Sequence, residues 1–340
     1  MDRNDALLAD WRQRALTLEA EVGKAVIGQA RVLRLVNTAV FARGHVLLQG
    51  DVGVGKTTLL RAFAQVLGGA FARTEGTVDL MPNDLVYYTY ISEQGRPAVE
   101  PGPLIRHGED LAIFFFNEIN RARPQVHALL LRVMAERSVS AFNREFHFPH
   151  LLVFADRNRV EREETFEISS AARDRFMMEI TIDAPVDDAQ RRALMFDPRF
   201  HDTDRLVGAL QSAMVPHREL NALAEVIQHS VQASDALQNY ALGLWRATAE
   251  PAKFGVTLSD VDTTQLMLAG ASPRGMSLLL RAARVAAWLE GRSYVTPEDV
   301  QAVFVETIAH RLCYQPVFEL HRHEISPRLM AAIVSAVAAP

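Results

Sequence analysis

The 340-residue sequence predicts an α/β domain with a mostly parallel sheet, followed by an all-α domain. Three observations predict this fold. A buried strand, a glycine-rich turn and a helix follow one another between residues 45 and 67, further buried strands then alternate with helices, and only helical periodicity is found from about Asp187 onward. Alternating strands and helices are typical of a parallel sheet. We therefore expect an α/β domain over residues 1–190 and a helical domain over residues 191–340.

The elements of the α/β domain are predicted from the spacing of apolar residues. Between residues 29 and 41, apolar side chains recur every three or four positions, which is typical of an amphipathic helix. Continuous apolar runs of strand length predict buried strands. In chain order, we expect helix 29–41, strand 45–49, helix 57–67, strand 111–116, helix 125–137, strand 151–155 and strand 180–183.

Segments between these elements are predicted to project from the sheet. The stretch 81–103 is rich in proline and glycine, which is typical of an inserted loop or lid. The aromatic residues within 87–90 could either grip a polypeptide or pack inside this insert. Residues 139–148 alternate in polarity around Asn143 and predict a hairpin. The charged run 161–164 predicts a solvated loop.

The helical domain is predicted from apolar periodicity and one strong helix start. Thr296 precedes Pro297, and Glu298 and Asp299 stand in the first turn, a combination that favours a helix N-terminus. The predicted helices are 220–231, 234–248, 275–290, 297–309 and 327–337.

Composition excludes several protein classes. The chain has 36 Lys and Arg against 41 Asp and Glu, and the resulting formal net charge of −5 argues against a nucleic-acid coat protein. One cysteine, Cys313, excludes an intrachain disulfide framework and a multi-cysteine zinc site. The N-terminal segment mixes acids with bases, unlike a secretory signal, and the longest apolar runs are too short for a membrane span. We expect a cytoplasmic protein with no membrane span.

A phosphate-binding loop lies between the first strand and the helix that follows it. Residues 50–57 read GDVGVGKT and match the pattern G-x-x-x-x-G-K-[ST] completely. The glycines allow backbone amides to surround phosphate groups, Lys56 would reach the β- and γ-phosphates, and the hydroxyl of Thr57 would bind Mg²⁺. The residues predicted to bind nucleotide in this region are Asp51, Val52, Gly53, Val54, Gly55, Lys56, Thr57 and Thr58.

The strand 111–116 leads directly to Asn117 and Glu118. A phosphate-loop enzyme needs an acid near its metal and a carboxylate that polarises the attacking water, and we expect Glu118 to be that general base. Asn117 stands at the metal-side position where an aspartate is expected; it offers an oxygen but no charge to Mg²⁺. Two interpretations remain open. Either a group outside the direct metal ligands suffices, or hydrolysis is slow or metal-impaired while nucleotide binding is retained.

Several motifs, in order along the chain, resemble those of the MoxR group of the AAA+ superfamily. The matching segments are residues 26–29, 44–57, 76–85, 101–104 and 118–122, the last reading EINRA. The resemblance covers about residues 20–312. It implies an AAA+ phosphate-loop core over 1–190 with a helix-2 insert at about 77–103, a pre-sensor-1 hairpin at about 139–148, and a helical lid domain over 191–340.

The resemblance also implies functions for residues outside the phosphate loop. Ile27 and Gly28 would lie beside the adenine. Asn158 would be the sensor-1 residue, which positions the attacking water or the γ-phosphate. Arg274, in the motif GASPR, would be the sensor-2 residue and contact the γ-phosphate in the same subunit.

Arg175 would be the arginine finger, which reaches the nucleotide of a neighbouring subunit and stabilises transition-state charge there. Arg173 and Arg121 are alternatives for this trans arginine, and a salt bridge of Arg175 to Asp174 or Glu179 is the structural alternative. A finger that acts from outside the site requires subunits assembled head to tail. The resemblance therefore implies a ring, which in this family is most often a hexamer.

The family resemblance implies an ATPase with ATP and Mg²⁺ as its cofactors. Such proteins remodel or activate client proteins as chaperones, typically beside a partner with a von Willebrand factor A domain. One alternative is an ATP-binding switch or scaffold with little turnover, because Asn117 replaces the usual acid. A second alternative is a nucleic-acid translocase. Arg144 in the hairpin is its one support in the sequence, and the net charge disfavours it.

Overall fold

The computed structural model describes residues 3–158 and 166–340. The charged run 161–164, predicted to be a solvated loop, lies outside these residues. The chain divides into two compact units, which we call the sheet unit and the helical unit. The sheet unit comprises Arg14–Arg175 and Ile180–Asn221, and the helical unit comprises residues up to Gln13 together with Phe176–Glu179 and Ala222–Pro340.

Strands and helices are numbered here in chain order. The strands are β1 (Val46–Gly50), β2 (Ala70–Glu75), β3 (Tyr87–Ile91), β4 (Pro97–Pro101), β5 (Leu111–Asn117), β6 (Ser138–Ala141), β7 (Arg144–His147), β8 (Leu152–Asn158), β9 (Met178–Ile182), β10 (Met267–Ala269) and β11 (Cys313–Tyr314). The helices are α1 (Arg3–Gly23), α2 (Ala30–Phe41), α3 (Lys56–Leu67), α4 (Pro82–Val86), α5 (Pro124–Glu136), α6 (Ser170–Arg173), α7 (Asp188–Phe196), α8 (Thr203–Gly208), α9 (Leu220–Ser230), α10 (Asp235–Ala249), α11 (Pro273–Leu289), α12 (Pro297–Ile308), α13 (Pro316–Glu319) and α14 (Arg322–Ala336). Short 3₁₀ turns, including Ile119–Arg121, connect several of them.

A five-stranded sheet in the order β2-β5-β8-β1-β9 forms the centre of the fold. The pairs β2–β5, β5–β8 and β1–β8 are parallel, which confirms the predicted fold class. The central strands β5 and β8 are buried along most of their length, and this explains their almost continuously apolar sequences. Strand β2 was not predicted, because its partly exposed residues carry no such run. Parallel pairing brings the carboxyl ends of β1, β5 and β8 to the same edge.

Both predicted projections contain a β-hairpin. The insert consists of α4 followed by the antiparallel pair β3–β4, so it is more regular than the expected loop. In the predicted hairpin β6–β7, the turn residues Phe142 and Asn143 have φ angles of 53° and 55°, which a two-residue hairpin turn requires. The rings of Tyr87 and Phe142 lie 5.0 Å apart and connect the two hairpins, whereas Tyr88 and Tyr90 are exposed.

The region 191–221 packs with the sheet, which differs from the predicted domain boundary at 190. Arg61 on α3 forms an ion pair of 2.7 Å with Asp204 on α8. The amides of Ala213 and Met214 donate to the carbonyls of Gln65 and Val66, at 3.1 and 2.8 Å. The sequence change from strands to helices near 190 therefore does not coincide with the change from one compact unit to the other.

The helical unit is built around the packed helices α11 and α12, with α10 and α14 against them. It also contains the short antiparallel pair β10–β11, which the expectation of an all-α domain missed because each strand has only two or three residues. Helix α14 begins at Arg322 and contains Pro327, whereas the sequence predicted that the helix starts at Pro327. The prediction followed from the preference of proline for helix starts over helix interiors.

The first turns of the chain also belong to the helical unit rather than to the sheet unit. The indole of Trp288 donates to the carbonyl of Leu8 at 3.0 Å, and Nε of Arg12 donates to the carbonyl of Leu289 at 2.8 Å. The predicted assignment of residues 3–13 to the α/β domain thus differs from the structure. Among the described residues, no helix has the length and apolar content needed to cross a membrane.

Candidate functional site

The phosphate loop connects the end of β1 to the start of α3. Gly53 and Gly55 have φ angles of 79° and 90°, in the left-handed region that favours glycine. Gly50 has no room for a side chain, since a Cβ there would lie 2.4 Å from the carbonyl oxygen of Ile182. The loop leads into the N-terminus of a twelve-residue helix, where backbone amides and the helix dipole favour an anion.

The ammonium group of Lys56 is fixed by three acceptors. Its Nζ donates to the carbonyls of Gly50 and Asp51, both at 2.9 Å, and to Oδ1 of Asn158 at 2.8 Å. Asn158 is 102 residues away in sequence. The two meet because β1 and β8 are parallel neighbours in which Gly50 pairs with Asn158. The register of the sheet thus places the predicted sensor-1 residue beside the predicted phosphate-binding lysine.

A cavity of about 370 Å³ lies beside the phosphate loop, within the sheet unit. Its lining residues include Val26, Ile27, Val52, Gly53, Val54, Gly55, Thr58, Pro185, Leu194, Phe200 and Leu206. The mostly apolar lining next to an anion-binding loop suits a nucleotide base. Gly28 follows the cavity residue Ile27; a Cβ at Gly28 would lie 2.5 Å from Oε1 of Gln190, and its φ of 74° also favours glycine.

Sequence reasoning missed part of this cavity. Leu194, Phe200 and Leu206 fall in the region 191–221 that the sequence assigned to the helical domain. No local signal marks these three residues as ligand-binding, because their contribution depends on how 191–221 folds back along the sheet unit. The predicted adenine-side residue Ile27 and the loop residues, by contrast, line the same cavity.

Oxygen atoms suited to Mg²⁺ meet at the end of β5. The hydroxyl of Thr57 donates to Oδ1 of Asn117 at 3.4 Å, and the Asn117 side chain is buried. Within the described residues no group of three His, Cys, Asp or Glu could hold a metal alone. Mg²⁺ in nucleotide sites usually takes one or two protein ligands together with phosphates and water. The residues present therefore fit Mg²⁺ bound with a nucleotide.

Glu118 follows β5 in a left-handed backbone conformation with φ 52° and ψ 50°. Its Oε1 accepts a hydrogen bond from Nδ2 of Asn158 at 3.3 Å, and its Oε2 forms an ion pair with Nε of Arg121 at 3.0 Å. A Cβ at Gly76 would lie 2.1 Å from the Glu118 carbonyl oxygen, so this turn also needs a glycine directly after the neighbouring strand β2. Arg121, one alternative for the trans arginine, thus contacts the predicted base of its own subunit.

A buried acid on β8 was missed by the sequence analysis. Asp156 is 2% exposed, and its Oδ1 accepts a hydrogen bond of 2.6 Å from the backbone amide of Glu118. Burial raises the pKa of Asp156 to about 6, although the Glu118 amide and the charge of Lys56 act in the opposite direction. The available signal was an aspartate inside the apolar run LLVFAD.

The three remaining predicted arginines lie away from this cluster in sequence. Arg173, at the end of α6, is buried, and Arg175 is half-buried just before Phe176. Arg274 is exposed in the first turn of α11, in the helical unit. The structure brings Lys56, Thr57, Asn117, Glu118 and Asn158 together, whereas the finger and sensor-2 functions of Arg175 and Arg274 stay predictions.

Comparison with known proteins finds two family models along the chain. The model described as "ATPase family associated with various cellular activities (AAA)" matches residues 45–178, and the "AAA lid domain" matches residues 262–329. The first range contains the phosphate loop and the end of β5, and the second contains about half of the helical unit.

Individual relatives match nearly the whole chain. Protein MoxR of Methylorubrum extorquens is 59% identical over 336 residues, which are 99% of this chain and 98% of that protein. Chaperone MoxR1 of Mycobacterium tuberculosis is 33% identical over 324 residues, 94% of this chain and 81% of that protein. A crystal structure of a protein from Cytophaga hutchinsonii has a TM-score of 0.82 and 27% identity, and the match covers 98% of this chain and 97% of that one.

Proposed function

The chain belongs to the MoxR family of AAA+ ATPases, and we propose that it hydrolyses ATP between the subunits of a ring in order to remodel or activate a client protein. One observation carries the enzymatic part of this proposal. Asn158 accepts a hydrogen bond from Lys56 at 2.8 Å and donates one to Glu118 at 3.3 Å. A single side chain thus connects the phosphate-binding cation to the proton-accepting carboxylate.

The chain's own residues divide the work of hydrolysis. The loop amides and Lys56 hold the phosphates, and Asn158 fixes the distance between Lys56 and Glu118. The Glu118 carboxylate then accepts a proton from the attacking water, while Arg121 holds its second oxygen in place. Thr57 and Asn117 would hold Mg²⁺ together with the phosphates, and the metal would neutralise phosphate charge.

The ring and the chaperone activity rest on further support. The family resemblance assigns Arg175 as an arginine finger, and this arginine is half-buried at the end of the segment Arg14–Arg175 of the sheet unit. A relative at 33% identity is named a chaperone. We propose that the ring is a hexamer and that it acts with a partner that contains a von Willebrand factor A domain, as the family resemblance implies.

A second candidate function follows from Asn117. Its amide oxygen accepts from Thr57 but adds no negative charge at the metal side. If no other group supplies that charge, turnover would be negligible, and nucleotide occupancy alone would control assembly. The protein would then be an ATP-binding switch or scaffold.

Phosphate release measured against protein concentration tests the proposed motor. Turnover per subunit should rise with concentration as rings assemble, because the finger comes from a neighbour. Arg175→Ala should abolish this rise and lower turnover on the order of 10³-fold. Arg132→Ala is the matched control, since Arg132 is an exposed arginine that pairs with Glu136 on its own helix.

Three results would contradict separate parts of the proposal. A turnover independent of concentration, across the range in which light scattering shows monomers becoming oligomers, would contradict catalysis shared between subunits. A wild-type rate equal to that of Lys56→Ala would contradict hydrolysis altogether and support the switch. A loss of turnover in Arg132→Ala as large as in Arg175→Ala would remove the finger assignment.

A further inference from the structure

Building on the proposed function, we propose that Asp156 supplies the negative charge that the metal side of this site lacks at Asn117. Asp156 lies on β8, and the residue at the end of β5 is the neutral Asn117. The acid of the site would then stand on the neighbouring strand rather than before the general base. Asp156 would be a positioning residue for the Mg²⁺ nucleotide and for Glu118.

The strand register places Asp156 beside Asn117. Strands β5 and β8 pair in parallel up to Phe116 and Ala155, so the next residue on each strand is Asn117 and Asp156. Neighbouring strands lie about 4.8 Å apart, and residues at the same level project to the same face. The hydrogen bond of 2.6 Å from the Glu118 amide to Oδ1 of Asp156 shows that the carboxylate does reach the end of β5.

Three polar side chains therefore lie near one another at this edge of the sheet. The Thr57 hydroxyl donates to Oδ1 of Asn117 at 3.4 Å, and Asp156 directly follows Ala155, the register partner of Phe116. Strand β8 also lies between β5 and β1, the strand that leads into the phosphate loop. A divalent cation bound by Thr57 and Asn117 would thus have a carboxylate on the strand next to Asn117.

The burial of Asp156 also requires a positive partner. An ionised carboxylate that is 2% exposed has lost most of its hydration, and this loss is unfavourable unless nearby cations or donors compensate. The Glu118 amide donates to it, and the ammonium of Lys56 is close enough to attract its charge. Mg²⁺ would add two positive charges to the same region, which gives an otherwise costly buried acid a function.

A purely structural function of Asp156 makes a different prediction. Its oxygen could serve only to accept the Glu118 amide and hold the backbone at φ 52°. Asp156→Asn separates the two possibilities, because asparagine keeps an acceptor oxygen of the same size but carries no charge. The charge can therefore be removed while the hydrogen bond is kept.

The experiment measures how strongly Mg²⁺ increases the affinity for a fluorescent ADP analogue, by titration in EDTA and in saturating Mg²⁺. The wild type should show a clear increase. In Asp156→Asn this increase should be about tenfold smaller than in the wild type, while the affinity in EDTA stays within about threefold of the wild-type value. The exchange variant Asn117→Asp/Asp156→Asn should regain the increase, because it places one carboxylate at the end of β5 in place of the one removed from β8.

The outcomes separate this inference from the proposed function. A wild type that binds no nucleotide under either condition overturns both. If Mg²⁺ increases the nucleotide affinity of the wild type and of Asp156→Asn equally, only the function assigned to Asp156 is overturned. If Asp156→Asn alone does not fold, as judged by circular dichroism, the exchange variant is decisive: wild-type Mg²⁺ dependence supports the inference and its loss overturns it.

Discussion

The phosphate side and the metal side of this site are built in different ways. The phosphate side is formed by consecutive residues, since one loop of glycines leads into α3 and carries its own lysine. The metal side collects residues from separate parts of the chain: Thr57 on α3, Asn117 and Glu118 after β5, and Asp156 and Asn158 on β8. Asn158 is the residue that contacts both sides.

This difference determines how each side responds to a change in sequence. A contiguous loop needs its local pattern, and the pattern is complete here. In a site collected through strand register, a charge can stand on one strand or on the next, because residues in register on neighbouring strands lie only about 4.8 Å apart. The metal side can therefore depart from its expected sequence and still present the same atoms.

The largest effect is expected on the phosphate side. Lys56→Ala removes the only ammonium described at the loop and should weaken ATP affinity by at least about 100-fold, because charge-assisted hydrogen bonds to phosphate are lost. Isothermal titration calorimetry measures this directly. Lys253→Ala is the control, since Lys253 is exposed and pairs with Glu250. An ATP affinity within threefold of wild type would show that the loop amides alone bind the nucleotide.

A smaller effect, confined to the chemical step, is expected on the metal side. Glu118→Gln keeps the hydrogen bond to Asn158 but cannot accept the water proton, so turnover should fall by about 10²–10⁴-fold while ATP affinity changes by less than about threefold. Phosphate release and equilibrium binding of ATP are the paired measurements. Glu136→Gln, at an exposed ion pair on α5, is the matched control. Turnover within tenfold of wild type would exclude Glu118 as the base.

The same contrast explains what the sequence could predict. Strands β1, β5 and β8 were predicted because burial on both sides requires continuous apolar runs, and the loop was predicted because its glycines and lysine are consecutive. Strand β2 was not, since its exposed residues resemble a loop. Local sequence is informative where a residue's surroundings are set by its immediate neighbours.

Features that depend on distant contacts were missed. The function proposed for Asp156 depends on its contact with the Glu118 amide, which is 38 residues away in sequence. Leu194 and Phe200 line the cavity because the region after β9 returns to the phosphate loop, which no periodicity in that region indicates. The domain boundary was placed too early for the same reason. Helix α8 lies in the region that the sequence assigned to the helical domain, but its ion pair with α3 joins it to the sheet unit.

The smallest expected effect is on the pH dependence of the free energy of unfolding, through a histidine on the metal side. His127 on α5 is buried, and its Nε2 donates to the carbonyl of Ile119 at 2.7 Å, directly after Glu118. Burial lowers the pKa of His127, so the folded chain keeps it neutral where the unfolded chain, with a pKa near 6.5, already binds a proton. The free energy of unfolding should therefore fall as the pH falls below about 6.5.

His127→Gln should reduce this acid sensitivity by up to about 1 kcal/mol between pH 7.5 and 5.5, as measured by urea unfolding at both pH values. The slope would not vanish, because burial also lowers the pKa of His150 and His217. Asp156, with its pKa raised to about 6, acts in the opposite direction but equally in both proteins, so it cancels in the comparison. An unchanged pH dependence in the variant would contradict a lowered pKa of His127 in the folded chain.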